Sequence, residues 1–177
     1  LPGAQALAAA AGLVASRTLL VLQLSQPQPA TPRELPGITL RSFTEADADQ
    51  IVAVNARAFA HHAEQGAMDR ADFDRRRSQD WFDPAGLFIA ERDGAVIGFH
   101  WTKFEDGVGE VYVVGVDPSA HGTGVGSALT AVGLQYLWDR GSRVIDLYVE
   151  GDNAAALAVY TKLGFTEHAK DVLYSLS

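Results

Sequence analysis

Val113-Val114-Gly115-Val116-Asp117-Pro118-Ser119-Ala120-His121-Gly122-Thr123-Gly124-Val125-Gly126 joins an apolar strand to a helix through a proline and a run of glycines. Proline lacks the N–H that a central strand needs, so the strand stops at Asp117-Pro118. The glycines let the backbone close around a ligand with no side chain in the way. A helix opens behind them, and its first N–H groups, at the positive end of the dipole, suit an anion such as a pyrophosphate. Two other phosphate-binding arrangements fail on spacing. A dinucleotide site sets glycine-x-glycine-x-x-glycine directly after a strand, with an acid about twenty residues on; here Asp117 to His121 is too long an approach. A nucleotide-hydrolase loop needs lysine after its last glycine, and Ser127 follows instead. Taken alone, the glycines also fit a plain flexible turn.

The flanking sequence surrounds this unit with strands and helices. Ile38 to Phe43 alternates and predicts a strand. Thr44, ahead of Glu45 and Asp47, caps a helix whose apolar face holds Ile51, Val52, Val54 and Phe59. A polar helix spans about residues 69–81. Residues 87–90 and 96–104 form a hairpin about Asp93-Gly94. Residues 110–116 form the strand before the glycine turn, and the helix behind it runs from about 122 to 138. A strand over 144–149, a helix over 153–163 and two short strands complete the chain. This order predicts an α/β (α+β) domain with a mixed central β-sheet flanked by helices on both faces.

Composition narrows the function. With 47% apolar and 20% charged residues, the 177-residue chain can bury a sizeable core. Its formal charge of -8 excludes a general nucleic-acid binder, which needs a basic surface. An anionic ligand must therefore be held by local features against the overall field. There is no cysteine, hence no disulfide and no thiolate metal site, which is compatible with the cytoplasm. Ala4 to Leu24 is largely apolar, but Arg17 stands in its middle, and a charge at that depth opposes membrane insertion.

A repeat marks the amino terminus. When residues 8–24 are laid over 160–176, Gly12-Leu13 falls on Gly164-Phe165 and Leu20-Val21-Leu22 on Val172-Leu173-Tyr174. In each copy a helical run ends at glycine and a strand follows. The chain also begins with Leu1. Residues 1–24 are therefore expected to be the tail of a preceding, related domain of a tandem protein. Pro27, Pro29, Pro32 and Pro36 make residues 25–37 an extended connector, and the main domain is expected over 38–177.

A second stretch, Leu147-Tyr148-Val149-Glu150-Gly151-Asp152-Asn153, leads to Tyr160 and Leu163-Gly164-Phe165. Asn153, Leu157 and Tyr160 share one helix face, and Asp152 can cap that helix. Asn153 can equally serve only to start the helix, and Tyr160 only to pack. Together with His121-Gly122-Thr123-Gly124-Val125-Gly126, this pattern resembles the acyl-CoA-binding half of the GCN5-related N-acetyltransferase (GNAT) family, whose signature is glutamine/arginine-x-x-glycine-x-glycine/alanine. His121 and Thr123 depart from it, and both departures shift phosphate affinity from charge to backbone amides. The resemblance implies the GNAT fold, acetyl-CoA as cosubstrate, no metal, and a small-molecule amine as acceptor. It also implies an oxyanion donor at the Val114 backbone and Tyr160 as the acid that protonates the departing thiolate. Glu110, taken to be in phase with Tyr112, Val114 and Val116, is either a base or a solvated strand-end charge.

Several strings are more specific: His61-His62-Ala63-Glu64-Gln65-Gly66, Trp81-Phe82-Asp83-Pro84-Ala85-Gly86-Leu87, Gly98-Phe99-His100-Trp101-Thr102-Lys103, and Gly109-Glu110 through Asp117-Pro118. They resemble the carboxy-terminal half of the mycothiol synthase family, tandem acetyltransferases that acetylate the cysteinyl amine of a cysteine–glucosamine–inositol conjugate. That likeness implies substrate contacts from Glu64, Lys103, Glu110 and Tyr148, with Glu110 also the base and Tyr160 the acid. It implies acetyl-CoA contacts from Val114, Gly115 and Val116, from His121, Gly122, Thr123, Gly124, Val125 and Gly126, and from Asn153, Ala154, Ala155, Ala156, Leu157 and Ala158. The implied partner is the amino-terminal GNAT half of the same polypeptide. The alternatives are a related acetyltransferase acting on a peptide amino terminus or another small amine, and a non-catalytic CoA-sensing or scaffold domain.

Overall fold

The structure is a computed structural model that describes residues 7–8, 10–27, 35–62 and 64–176, without the side chain of Leu176. Residues 1–6 and 9 of the expected remnant, 28–34 of the proline-rich connector, and Ala63 lie outside the described residues. In chain order the elements are β1 (Leu13–Leu24), β2 (Thr39–Ser42), α1 (Ala48–Ala58), α2 (Arg70–Arg77), β3 (Leu87–Arg92), β4 (Ala95–Glu105), β5 (Val108–Val116), α3 (Val125–Asp139), β6 (Val144–Glu150), α4 (Ala154–Lys162) and β7 (Thr166–Leu176). They fall into two compact units, one of residues 25–145 and one joining 1–24 to 146–177.

In the first unit β2, β3, β4 and β5 are neighbours in that order and antiparallel throughout. Alternation sends successive side chains of β3 to opposite faces. Leu87 and Ile89 pack with Ile51 and Val54 of α1 and Phe73 of α2, while Phe88 and Ala90 pack with Val125 and Leu129 of α3. Helices therefore cover both faces, as the α/β order predicted. The entry to α1 differs in detail from the expected cap. Thr44 forms a capping box with Asp47 across a 3-10 turn: its N–H and its hydroxyl both donate to Asp47 Oδ2, at 2.7 and 2.9 Å, and its carbonyl accepts from Asp47 N–H at 2.9 Å. The polar helix is shorter than expected and starts at Asp69, whose carboxylate accepts from Asp72 N–H at 2.8 Å.

A buried histidine ties α3 to β4. The His100 ring is fully buried, with Nδ1 2.9 Å from Leu129 O. It occupies the space where a Cβ on Gly133 would stand, 2.2 Å from the ring. Glycine inside a helix costs about 1 kcal/mol relative to alanine. Here it is what lets the ring in.

One irregularity interrupts the β4–β5 ladder. Trp101 pairs with Val113 but Thr102 pairs with Val111, so Tyr112 is an extra residue on β5, a β-bulge. Tyr112 and Val113, although consecutive, both pack into the core on the α1 face. Beyond the bulge Val116 packs with α3. Glu110 therefore shares the face of Tyr112, and Val114 shares that of Val116. The expected single face through Glu110, Tyr112, Val114 and Val116 does not exist, because one inserted residue reverses the alternation.

In the second unit the strand order is β6, β1, β7. β1 and β7 are antiparallel from Leu13 opposite Leu176 to Gln23 opposite Thr166. Gln23 Nε2 donates to Asp146 Oδ1 at 2.8 Å, and Gly151 N–H to Thr18 O at 2.8 Å, so β6 also runs opposite to β1. The two short strands expected at the carboxy terminus are one eleven-residue strand. β1 supplies a partner along its whole length, and register shifts near residues 15–17 and 21–22 absorb the irregularity.

Candidate functional site

The glycine turn is braced from below. Asp117 Oδ1 accepts from Ser119 N–H at 2.9 Å, and its Oδ2 accepts from Arg57 Nε at 2.6 Å. The Ser119 bonds first, and Arg57 after them, hold the carboxyl down at about 2, so it is ionised at any working pH. Nothing in the sequence pattern signalled Arg57, because it comes from α1, sixty residues away. Thr123, standing where a cation is usual, turns its hydroxyl inward to Ala120 O at 2.7 Å. His121 Nε2 lies 3.2 Å from Val116 O, joining the turn to the end of β5. Gly122 and Gly124 have φ of 76° and 92°, left-handed values that side chains resist.

These bonds leave the upper side of the turn polar. Gly124 is the N-cap of the fifteen-residue α3 and has no side chain to satisfy its first amides. Among the described residues no carbonyl accepts from the N–H groups of Gly122, Gly124, Val125 or Gly126. A Cβ at Gly126 would meet only Val116 Cγ2, at 3.4 Å, an ordinary contact that fits the glycine/alanine choice at this place. The arrangement is a cluster of aligned donors at the positive end of a helix dipole, the chemistry that binds a diphosphate.

Also in the first unit, Lys103 and Glu110 are direct cross-strand partners on β4 and β5. Lys103 Nζ bonds Glu105 at 3.0 Å and stands 5.4 Å from the centroid of the Trp81 ring. The Glu105 bond, with smaller help from Glu110, raises its pKa and keeps it charged. Tyr112, beside Glu110, packs edge-on against Trp81 at 5.0 Å between centroids. Glu64 sits on an exposed turn after α1. That turn is pinned: Asn55, fully buried, donates to Gln65 O at 2.6 Å and accepts from Gln65 Nε2 at 2.8 Å.

Tyr148, Asn153 to Ala158 and Tyr160 belong to the second unit. Tyr148 is 54% exposed on β6. Asn153, not Asp152, caps α4: its side chain accepts from Ala156 N–H at 3.1 Å. The ring of Tyr160 is set by the helix end. Phe165 N–H donates to Tyr160 O at 3.1 Å and Gly164 N–H to Thr161 O at 3.0 Å, with Gly164 at φ 90°. This is a Schellman stop, and the Phe165 ring closes edge-on against Tyr160 at 5.8 Å. Burial pushes the phenol up to about 12, so it keeps its proton.

The family model "Acetyltransferase (GNAT) family" matches residues 52–165. The chain belongs to the acetyltransferase (GNAT) family. It is 52% identical over 185 residues to the mycothiol acetyltransferase of Amycolatopsis mediterranei, a match covering 98% of this chain and 62% of that protein. It is 53% identical over 178 residues to the mycothiol acetyltransferase of Clavibacter michiganensis subsp. michiganensis, covering 98% of this chain and 58% of that one. The chain thus spans about three-fifths of the length of these curated relatives. A crystal structure of a GCN5-related N-acetyltransferase from Sphaerobacter thermophilus matches the fold with a TM-score of 0.83 at 22% identity, over 98% of this chain and 56% of that one.

Proposed function

We propose that the chain carries an acetyl-CoA-dependent N-acetyltransferase that acts on the cysteinyl amine of a cysteine–glucosamine–inositol conjugate, in mycothiol biosynthesis. The observation that carries the acetyl-CoA assignment is the set of amides at Gly122, Gly124, Val125 and Gly126, at the start of α3, from which no carbonyl accepts among the described residues. The acceptor follows from the relatives' names together with Glu64, Lys103, Glu110 and Tyr148. The cytoplasm and an amino-terminal GNAT half as partner belong to the same proposal.

Acetyl-CoA supplies the activated acetyl thioester; the chain supplies binding and proton transfer. Amides at His121 to Gly126 take the diphosphate, with the backbone of Val114 to Val116 and the first turn of α4 along the rest of the carrier. A Val114 N–H polarises the thioester carbonyl. Glu110 takes a proton from the acceptor amine, an easy task because an α-amino group titrates near ~8. Tyr160, held protonated by burial, gives its proton to the departing thiolate. The side chains of Glu110 and Val114 lie on opposite faces of β5, a consequence of the bulge at Tyr112.

The test is thiol release from acetyl-CoA against a panel of amines: the cysteine–glucosamine–inositol conjugate, peptides with free amino termini, and simple amines. The conjugate is expected to give the highest kcat/KM. Preference for a peptide would reassign the acceptor, and binding of coenzyme A with no release from any amine would identify a sensing domain.

A further inference from the structure

Arg76 behaves unlike its neighbours on α2. Arg70 pairs with Glu45, Asp49 and Asp74 at 2.9, 2.7 and 2.9 Å, Arg75 with Asp72, and Arg77 with Glu45 and Asp74 at 2.6 and 2.7 Å. Among the described residues Arg76 has no carboxylate partner. Among those residues its one side-chain hydrogen bond is long, Nη1 to Gln65 Oε1 at 3.4 Å, although the group is half-buried. The guanidinium instead stands over the Tyr112 ring, 5.9 Å from its centroid. Tyr112 meets Trp81, and Lys103 stands over Trp81, so two cations sit over two adjoining rings beside Glu110.

We infer that Arg76 and the Trp81–Tyr112 pair are further recognition residues for the acceptor, taking its polyhydroxylated ring next to Glu110. This rests on the proposed transfer to a cysteine–glucosamine–inositol conjugate and extends it to residues to which no motif assigned a contact. A sugar or cyclitol ring offers an apolar C–H face and a rim of hydroxyls. The aromatic pair suits the face, and the planar fork of a guanidinium with donors to spare suits two neighbouring hydroxyls. Gln65 holds Arg76 to the pinned turn that carries Glu64, so the acceptor's carboxylate contact and its guanidinium contact are set by one scaffold.

The experiment compares two acceptors on the 177-residue chain: the full conjugate and cysteinamide, which keeps the reacting amine but lacks both rings. Arg76→Ala is expected to lower kcat/KM for the conjugate about tenfold or more through KM, the usual worth of a hydrogen bond to a charged group. kcat should hold within about twofold, and cysteinamide should be unaffected. Trp81→Leu should do the same, and Arg76→Lys should recover part of the loss. Equal losses on both acceptors would mean that Arg76 only supports the fold, and would overturn the inference while leaving acetyl transfer intact. A parent chain that uses cysteinamide as well as the conjugate would refute the acceptor assignment and the inference together. Should the parent release no thiol with either, titration calorimetry of the conjugate decides: weaker binding by Arg76→Ala upholds the inference, and equal or undetectable binding ends it.

Discussion

The role proposed for Tyr160 rests on its surroundings. A phenol near 10 in water is a weak acid at neutral pH, and burial drives this one further, to about 12. The Schellman stop at Gly164 and the edge of Phe165 keep its ring in place. Replacement by phenylalanine preserves that ring contact and removes only the hydroxyl. Tyr160→Phe should therefore lower kcat about a hundredfold or more, in the range general acids contribute, with the affinity for coenzyme A unchanged by titration. Undiminished turnover would remove Tyr160 from the reaction. At Glu110 the lesson is different: the inserted Tyr112 decides which face of β5 the side chain takes.

At the scale of an element, α3 carries two opposed demands at its first turn. A carboxylate placed there stabilises the helix, through the dipole and through better propensity than glycine, by up to about 1 kcal/mol each. The same carboxylate competes with a phosphate for the same amides. Gly126 is the place to separate these effects, because it has room for a Cβ and, unlike Gly124, no left-handed φ. Gly126→Glu should leave the melting temperature of the free protein equal or slightly higher, and should abolish the rise that coenzyme A produces in the parent. A retained ligand-induced rise would show that the phosphates bind elsewhere, and a large loss of stability in the free protein would contradict the open space seen around Gly126.

For the whole molecule, acid is the informative perturbation. Burial lowers His100 from 6.5 to about 4 in the folded state, with the bond to Leu129 O opposing it weakly. The unfolded chain therefore takes up a proton between pH 6.5 and 4 that the folded chain refuses. Stability is full above 6.5 and falls as pH drops toward 4, by roughly 3 kcal/mol in all. Asp47, bonded to Arg41 and Thr44, and Asp117 are held at about 2, below an ordinary 3.8. Their contributions are present above 3.8 and are lost as pH falls through 2. Urea midpoints at pH 7, 5.5 and 4 should decline in the parent, and His100→Leu should flatten that decline while sparing the loss below pH 4. A parent with constant midpoints over this range would show that His100 titrates normally.

Local chemistry determined most of the fold from the amino-acid order alone. The proline stop at Pro118, the glycine turn and the hairpin about Asp93-Gly94 depend on neighbours in sequence, and all appear where their residues place them. The polar helix needed trimming to Arg70–Arg77, and the last strand needed β1 as a partner before it could run unbroken. The glycine turn was readable because glycines act through their own backbone, whereas the cap of α4 fell on the side chain of Asn153 rather than on Asp152. Arg57 bracing Asp117, Arg76 and Lys103 over the Trp81–Tyr112 pair, and the reversal of faces at Tyr112 were not readable. Each arises from residues about twenty to sixty positions apart, or from one extra residue in a ladder, and only chain packing in three dimensions sets which side chains then meet.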